Sequence, residues 1–334
     1  MMNTRRNFLA GLATALLVGG CRRKTSTGEA AGIRIAVIPK GTTHEFWKSV
    51  HAGAVKAGRE ENLEILWKGP LTENDLKGQI DLVESFTAQR VSGIVLAPLD
   101  SRGLRTVVKN STRSNVPVVI FDSALDSDDP KSFVATDNRA AGSLAGKHMV
   151  ELLGGKGNVV VLRYQEGSAS THEREEGFLE VVRKAKGIEV TSDNQYAGAT
   201  TETAHQASES LLMAQGASQG KIQGVFAPNE SSTFGMLRAL KEANLAGKLR
   251  FVGFDASKKL VAGLRDGTLD GLVVQNPFEM GYLSIKTIAK HLRGEQVDAV
   301  IDTGSTFVTK ANLDEPRVKA LIEPNLVEWL GEAG

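Results

Sequence analysis

From residue 33 onward, short apolar runs alternate with helix-period segments, and this alternation constrains the fold more than any other feature of the sequence. The runs are continuously apolar, as expected for strands that helices cover on both faces. The pattern predicts an α/β fold with parallel, doubly wound sheets. The predicted strands are 33–38, 63–67, 93–97, 116–121, 132–135, 158–163, 188–196, 222–227, 249–254 and 271–275. The predicted helices are 46–60, 76–89, 139–153, 173–186, 201–215, 232–243 and 279–292.

One pattern occurs in both halves of the chain. In the first half a predicted strand ends in Ala97-Pro98-Leu99-Asp100-Ser101, and the next strand ends in Phe121-Asp122. In the second half Ala227-Pro228-Asn229-Glu230-Ser231 is followed at nearly the same spacing by Phe254-Asp255. Two such matches in the same order indicate two lobes with the same architecture. A chain of 334 residues is long enough for both.

The first 21 residues have the features of an export signal. Thr4-Arg5-Arg6-Asn7-Phe8-Leu9 matches the twin-arginine (Tat) pattern, and the uncharged segment 8–20 is too short for a transmembrane helix but fits a signal-peptide core. Val18-Gly19-Gly20-Cys21 resembles a lipobox, so we expect a lipidated Cys21 as the mature N-terminus. The alternative is an uncleaved anchor helix with an incidental cysteine. Residues 22–32 have linker composition.

Composition excludes several classes of protein. The net charge is +1, so a nucleic-acid partner, which normally requires a clustered basic face, is not expected. Cys21 is the single cysteine, so the chain forms no internal disulfide. No G-x-G-x-x-G follows the first predicted strand, no G-x-S-x-G elbow joins a predicted strand to a following helix, and no H-E-x-x-H is present. We therefore expect no cofactor, no metal site and no catalytic residue, and a binding protein that is not an enzyme.

Polar side chains follow the predicted strands in both halves. Because ligands of open α/β sheets bind beyond the carboxyl ends of the strands, these side chains are the candidates for a site. Amides, carboxylates and hydroxyls of this kind suit a neutral polyol that is contacted from two sides. The candidates are Lys40, Thr42, Thr43, His44, Asp100, Asp122, Thr136, Asp137, Asn138, Gln165, Asn229, Glu230, Asp255 and Gln275.

Several of these residues also have a structural interpretation. Asp and Asn after a strand are ordinary helix caps, and this alternative stays open for each one. Asp122 and Asp255 occupy matched positions in the two halves, which favours ligand contact. Phe46 and Trp47 begin a helix beside the expected cleft and suit the apolar face of a sugar ring, although helical aromatics usually belong to the core. Arg174 offers several hydrogen-bond donors, or alternatively forms surface pairs with the glutamates around it.

With these residues assembled, the chain resembles the ribose-binding type of periplasmic binding protein, the substrate-capture subunit of bacterial sugar ABC importers. The resemblance covers residues 33 to about 312. The matching motifs are Phe46-Trp47, Val116-Pro117-Val118-Val119-Ile120-Phe121-Asp122, Thr136-Asp137-Asn138, Glu173-Arg174-Glu175-Glu176-Gly177-Phe178, Val225-Phe226-Ala227-Pro228-Asn229-Glu230, Val252-Gly253-Phe254-Asp255 and Gln275.

The resemblance implies a role for each matching residue. Phe46 and Trp47 match the aromatic positions that sandwich the sugar, and Asp122 and Asp255 match hydroxyl-binding carboxylates. Arg174 matches a ring-contacting arginine. Asn229 and Gln275 match amides of the second lobe and hinge. The complete predicted ligand-binding set is Lys40, His44, Phe46, Trp47, Asp122, Thr136, Arg174, Asn229, Asp255 and Gln275.

The implied fold is two Rossmann-like lobes with parallel doubly wound sheets, joined by a three-strand hinge. The crossings are expected near 136–137, 275–276 and 304–305. The N-terminal lobe would comprise 33–136 with 276–304, and the C-terminal lobe 137–275 with 305–334. Residues 312–334 extend past the family's usual end, and we expect a surface helical tail with Trp329 packed back.

The chain also departs from the ribose type. The ribose type usually has an asparagine at the position of Ala97 and an arginine at the position of Ser123, directly after the aspartate. It usually has a small hydroxyl residue near the position of Lys40, and an asparagine is common at the position of His44. These departures leave the sugar open, and the charges of Lys40 and His44 would admit an acidic or phosphorylated sugar.

The leading hypothesis is capture of a monosaccharide for import, with the lobes closing by a hinge motion. We expect a monomer that is lipid-anchored to the membrane in the periplasm or cell envelope and that delivers to ABC permease subunits. The alternative is a lipoprotein that passes its closed state to a sensor kinase or chemoreceptor. A sugar-responsive repressor is rejected because an export signal occupies the place of its helix-turn-helix, and an exported enzyme is a third rival.

Overall fold

The computed structural model describes residues 32–331. The predicted signal peptide, Cys21 and nearly all of the linker lie outside the described residues. The strands are β1 Arg34–Ile38, β2 Glu64–Trp67, β3 Gly93–Leu96, β4 Val118–Phe121, β5 Phe133–Ala135, β6 Lys156–Arg163, β7 Gly187–Tyr196, β8 Gly224–Phe226, β9 Arg250–Phe254, β10 Gly271–Gln275, β11 Val300–Asp302 and β12 Ser305–Val308. The helices are α1 Glu45–Glu61, α2 Leu76–Ala88, α3 Arg105–Arg113, α4 Asn138–Leu152, α5 Ala169–Val182, α6 Thr201–Ala214, α7 Glu230–Glu242, α8 Lys258–Asp266, α9 Pro277–Leu292, α10 Pro316–Ile322 and α11 Val327–Leu330.

The strands form two six-stranded sheets of the same topology. The first has the order β11-β5-β4-β3-β1-β2 and is parallel throughout. The second has the order β12-β10-β9-β8-β6-β7, in which only β12 runs antiparallel to its neighbour. The chain passes from one sheet to the other after β5, after β10 and after β11. The prediction of two doubly wound lobes joined by three strands is confirmed.

We call β1–β5, α1–α3, α9 and β11 the first lobe, and β6–β10, α4–α8, β12 and α10 the second lobe. Each sheet has an apolar cluster on both faces, because successive side chains of a strand point to opposite faces. On β1, Ile35 and Val37 join the cluster under α1 and α9, whereas Ala36 and Ile38 join the cluster under α2 and α3. The continuously apolar runs of the sequence therefore mark strands that are covered on both faces.

Each lobe also contains a pair of helices whose backbones touch at glycines. In the first lobe α1 crosses α9, and a Cβ on Gly53 would lie 1.9 Å from the carbonyl oxygen of Phe278. In the second lobe α4 crosses α5, and a Cβ on Gly142 would lie 2.0 Å from the carbonyl oxygen of Arg174. These contacts fix the helices that carry Phe46, Trp47 and Arg174, so the packing of the lobes positions candidate site residues.

The structure contains elements that the sequence pattern did not predict. Helix α3 and helix α8, each of nine residues, were not among the predicted helices. Strands β11 and β12 have three and four residues and depend on pairing with distant strands.

The C-terminal segment folds as two short helices, α10 and α11, rather than as one surface helical tail. Val318 and Ile322 of α10 join the core of the second lobe. In α11, the Trp329 ring lies 5.3 Å from the Arg59 guanidinium of α1, so Trp329 is packed back as expected. Across residues 32–331, no helix is both long enough and apolar enough to cross a membrane.

We predict that Gly142→Ala destabilises the protein by about 1–3 kcal/mol, because the added methyl group must displace the α5 backbone. The measurement is urea unfolding of the soluble form, residues 22–334, followed by circular dichroism. Lys147→Ala is the matched control, an exposed position on the same helix. Equal unfolding midpoints for the two variants would contradict the close crossing of α4 and α5.

Candidate ligand-binding site

The predicted site residues lie at the carboxyl ends of the two sheets, and most of them are almost fully buried. The charged members Lys40, Asp122, Arg174 and Asp255 are each exposed by 5% or less. Burial of a charge is costly unless the charge is paired and hydrogen-bonded. The partners of each group therefore decide what the site is able to bind.

Lys40 follows β1 and connects the two lobes. Its Nζ lies 3.3 Å from Asp122 Oδ2 in its own lobe. The same nitrogen donates to Ser168 Oγ at 3.2 Å and to Ser170 Oγ at 3.0 Å in the second lobe. The backbone nitrogen of Ser170 in turn donates to Ser123 Oγ at 3.1 Å. The Lys40 charge is thus compensated inside the site.

Glu73 is a site residue that the sequence analysis missed. It lies in the loop between β2 and α2, and its Oε1 accepts a hydrogen bond from Trp47 Nε1 at 2.8 Å and lies 2.7 Å from His44 Nδ1. Its Oε2 accepts from the Tyr164 hydroxyl of the second lobe at 2.8 Å. The signal was available, because β2 is the neighbour of β1 and its loop emerges at the same sheet edge. Glu73 lies six residues after the end of β2, so its position in a polar loop did not by itself predict a site residue.

Charge pairing shifts the pKa values of His44 and Glu73 in opposite directions. Burial lowers the pKa of His44, but the facing carboxylates, above all Glu73, raise it to about 9. Burial raises the pKa of Glu73, but His44 and Lys40 lower it to about 2. The pair is therefore an ion pair at neutral pH.

Phe46 and Trp47 belong to the core of the first lobe, as the structural interpretation expects, and their contact with a sugar stays a prediction. Their rings meet edge to face at 4.8 Å and belong to the core cluster of the first lobe. Trp47 also packs edge to face on Phe121 at 6.1 Å. At the same time the Trp47 indole nitrogen reaches Glu73 in the cleft. Phe46 lines a cavity of about 320 Å³ together with Asp255 and Gln275.

Asp122 and Asp255 share a backbone conformation that non-glycine residues seldom adopt. Their φ angles are +62° and +66°, in the left-handed region. Asp is one of the few residue types that tolerate this region, and such strain is concentrated at functional sites. The matched Phe-Asp pattern of the sequence thus corresponds to a matched turn at the end of β4 and of β9.

Arg174 and Gln275 present unused hydrogen-bonding atoms. Arg174 Nε donates to Asn138 Oδ1 at 2.8 Å, and Nη1 donates to the carbonyl oxygen of Pro228 at 3.0 Å. Gln275 Nε2 donates to Asp255 Oδ1 at 2.7 Å. Among the side chains that the structure describes, four buried atoms have no hydrogen-bond partner, and two of these, Arg174 Nη2 and Gln275 Oε1, belong to the predicted site. Such orphaned groups in a native fold indicate a missing partner, and a hydroxyl group can both accept and donate.

The alternative interpretation of Arg174 as a surface ion pair is wrong. The side chain is buried, and its guanidinium lies 4.4 Å from the centre of the Phe254 ring. The neighbouring glutamates pair elsewhere: Glu173 with Arg139, and both Glu175 and Glu176 with Arg163.

Asn229 and Thr136 make structural hydrogen bonds. Asn229 caps α7, where its Oδ1 accepts from the Ser232 nitrogen at 3.2 Å. Thr136 Oγ1 donates to the carbonyl oxygen of Gly304 at 3.2 Å, between two of the strand crossings. Their contact with a ligand stays a prediction.

Comparison with known proteins agrees with this geometry. Residues 35–296 match the periplasmic binding protein domain, and the chain belongs to that family. The ribose import binding protein of Haemophilus influenzae is 28% identical over 293 residues, which cover 88% of this chain and 96% of that protein. Its Escherichia coli counterpart is 27% identical over 301 residues, covering 90% and 98%. The resemblance to the ribose-binding type is confirmed.

Solved structures show the same fold. A carbohydrate transporter solute-binding protein from Agrobacterium radiobacter, in complex with D-arabinose, has a TM-score of 0.83 at 36% identity, covering 88% of this chain and 100% of that one. An ABC transporter solute-binding protein from Agrobacterium vitis, with bound D-fucose, has a TM-score of 0.82 at 36% identity, covering 86% and 99%. These relatives are binding proteins of transporters, as the prediction of a non-enzyme required.

We predict that the His44–Glu73 pair makes stability pH-dependent. Because the pKa of His44 is raised from 6.5 to about 9, its stabilisation is complete below pH 6.5 and is lost as the pH rises through 9. The contribution of Glu73, whose pKa is lowered from 4.5 to about 2, is present above pH 4.5 and is lost only as the pH falls through 2.

The measurement is the melting temperature of the soluble form between pH 6 and pH 9.5. We expect the melting temperature of the wild type to fall as the pH rises towards 9, and that of His44→Gln to fall less. His172→Gln, at an exposed position, is the control and should keep the wild-type profile. If the melting temperature of His44→Gln falls with pH as steeply as that of the wild type, the ion pair does not contribute to stability.

Proposed function

We propose that this protein captures a neutral monosaccharide or a related polyol in the periplasm, and that the two lobes close on it for delivery to an ABC permease. The observation that carries the proposal is the pair of orphaned atoms, Arg174 Nη2 and Gln275 Oε1. A buried donor and a buried acceptor suit a ligand that is rich in hydroxyl groups. The sugars bound by the related solute-binding proteins support the same class of ligand.

Charge compensation favours a neutral ligand over an acidic one. Lys40 is paired with Asp122, and His44 with Glu73. Burial raises the pKa of Asp255, and the charge of Arg174 opposes that rise, so Arg174 acts on Asp255 as a counter-charge. Lys40 and His44 therefore each have a carboxylate within ion-pair distance, and Asp255 supplies a further negative charge near Arg174. A neutral polyol leaves the Lys40 and His44 pairs intact, whereas an anionic ligand would bring a further negative charge close to their carboxylates.

We propose closure by a hinge at the three strand crossings. The lobes would comprise 33–136 with 276–304, and 137–275 with 305–331. Several contacts of the site join residues from different lobes, among them Lys40 with Ser168 and Ser170, and Glu73 with Tyr164. Such contacts exist only when the lobes are together, so binding groups from both lobes act on the ligand at the same time. We propose that the protein works as a monomer.

The ligand class is tested by a thermal-shift screen of the soluble form against pentoses, hexoses, polyols, sugar acids and sugar phosphates. We expect neutral sugars to stabilise the protein, by about 2.7 kcal/mol at 100 times the dissociation constant. Tighter binding of sugar acids or sugar phosphates than of neutral sugars would overturn the neutral ligand, and no shift with any carbohydrate would overturn the proposed function.

We predict that Asp122→Asn weakens binding of the neutral sugar about tenfold or more, because the variant removes a charged acceptor and leaves Lys40 uncompensated. The same variant should shift the preference towards sugar acids. Calorimetry measures both affinities. Asp126→Asn, an exposed position that pairs with Arg105, is the control and should bind like the wild type.

We also propose Tat export and lipid anchoring through Cys21, supported by Arg5-Arg6, the short apolar segment and Gly19-Gly20-Cys21. Two acyl chains on Cys21 would anchor the protein stably. We predict that the full-length protein becomes labelled in cells that are fed an alkyne fatty acid, and that Cys21→Ala abolishes the label. We also predict that the double variant Arg5→Lys with Arg6→Lys stays in the cytoplasm. Undiminished label in Cys21→Ala would contradict the assignment, because the chain has no second cysteine.

A further inference from the structure

Two glutamates reach across the cleft, and each binds a helix N-terminus of the opposite lobe. Glu230 begins α7 in the second lobe, and its Oε1 and Oε2 accept hydrogen bonds from the backbone nitrogens of Glu45 and Phe46, both at 3.2 Å. Glu45 begins α1 in the first lobe, and its Oε2 accepts from the backbone nitrogen of Lys258 at 3.0 Å. The contacts are therefore reciprocal.

The N-terminus of α1 depends on this contact. The first N–H groups of a helix have no partner within the helix, and the helix dipole favours a negative charge there. His44, the residue before α1, turns its ring to Glu73 instead of capping the helix. Glu230 supplies the missing acceptors from the other lobe. Helix α8 has its own cap, because Ser257 accepts from the Leu260 nitrogen, and Glu45 satisfies one further group there.

Glu230 also connects the two halves of the candidate site. Its carboxylate holds the backbone of Phe46, and its own backbone nitrogen donates to Asp255 Oδ2 at 3.0 Å. Asp255 Oδ1 in turn accepts from Gln275. Glu230 thereby fixes the position of Phe46 in the first lobe relative to Asp255 and Gln275 in the second lobe.

We propose that Glu230 and Glu45 form an interlobe latch that positions the site and holds the lobes closed. The latch rests on the proposed hinged closure but on no particular ligand. Both glutamates act through backbone groups, so they are positioning residues rather than ligand contacts. The contacts are broken when the lobes part, so the latch slows ligand release without changing the rate of encounter. Of the two, Glu230 holds two N–H groups and Glu45 holds one, so Glu230 has the larger effect.

Burial of the Glu230 carboxylate fits this role. Burial raises the pKa of Glu230 to about 7, against the lowering effect of His44 and of the Phe46 and Glu45 N–H groups, and Asp255 adds to the rise. The Glu230 carboxylate is partly buried in the closed state, and parting of the lobes would return it to solvent.

Stopped-flow kinetics with the sugar identified by the thermal-shift screen test the latch. Glu230→Ala should raise the dissociation rate about tenfold, Glu45→Ala less, and neither should change the association rate more than about twofold. Glu230→Gln retains one acceptor oxygen and should fall between wild type and Glu230→Ala. Glu202→Ala is the matched control, because Glu202 is an exposed first-turn carboxylate of α6 in the same lobe that faces Arg238 of its own lobe.

A second measurement separates this proposal from the proposed function. Spin labels at Leu71→Cys and Met213→Cys, two exposed positions in opposite lobes, report the interlobe distance in the cysteine-free soluble form. A smaller fraction of Glu230→Ala molecules than of wild-type molecules should be in the closed state. A dissociation rate and a distance distribution equal to those of Glu202→Ala would overturn the latch. If no carbohydrate binds, the proposed function fails but the latch does not. The latch would be overturned separately if the wild type and Glu230→Ala had identical distributions of the interlobe distance without ligand.

Discussion

The burial of charged side chains at the boundary between the two lobes is the constraint on which the rest of this structure depends. An isolated ion in a protein interior is costly, and removal of one partner of a buried pair is strongly destabilising. Lys40 meets this constraint with Asp122 in its own lobe and with two serine hydroxyls from the other lobe. Glu73 meets it with His44 and Trp47 on one side and with Tyr164 on the other. Neither residue is fully satisfied by its own lobe, so the lobes and the site form one electrostatic unit.

The backbone contacts of the paired helices allow such precise pairing. A guanidinium or an indole that must meet a partner at 2.8 Å needs a rigid support. Glycines let α4 approach α5 and α1 approach α9 until backbone meets backbone. Helix α5 then presents Arg174 to Asn138 on α4, and the start of α1 presents Trp47 to Glu73. Close glycine contacts between helices thus position site residues in both lobes.

The sequence predicted what depends on local pattern and missed what depends on contact between lobes. The apolar runs identified ten of the strands, and the matched Phe-Asp ends identified two aspartates with the same unusual backbone. Glu73 and the role of Glu230 escaped because a glutamate in a polar loop or at a helix start is ordinary on local grounds. Their partners are 91 and about 185 residues away in sequence. Strands β11 and β12 escaped for the same reason, since three or four residues become a strand only beside a distant neighbour.

The departures from the ribose type acquire a physical explanation together. Ser123 stands where an arginine commonly follows the first aspartate, and Lys40 stands near a position that is usually a small hydroxyl residue. In this structure the Lys40 ammonium lies against Asp122, while the Ser123 hydroxyl accepts a hydrogen bond from the second lobe. Two of the departing residues, Lys40 and Ser123, therefore both bind Ser170 of the second lobe. The cation beside Asp122 is supplied by the loop after β1. We expect the position of this ammonium to limit which hydroxyl groups of a ligand Asp122 is able to accept, because the Lys40 ammonium occupies one side of the carboxylate.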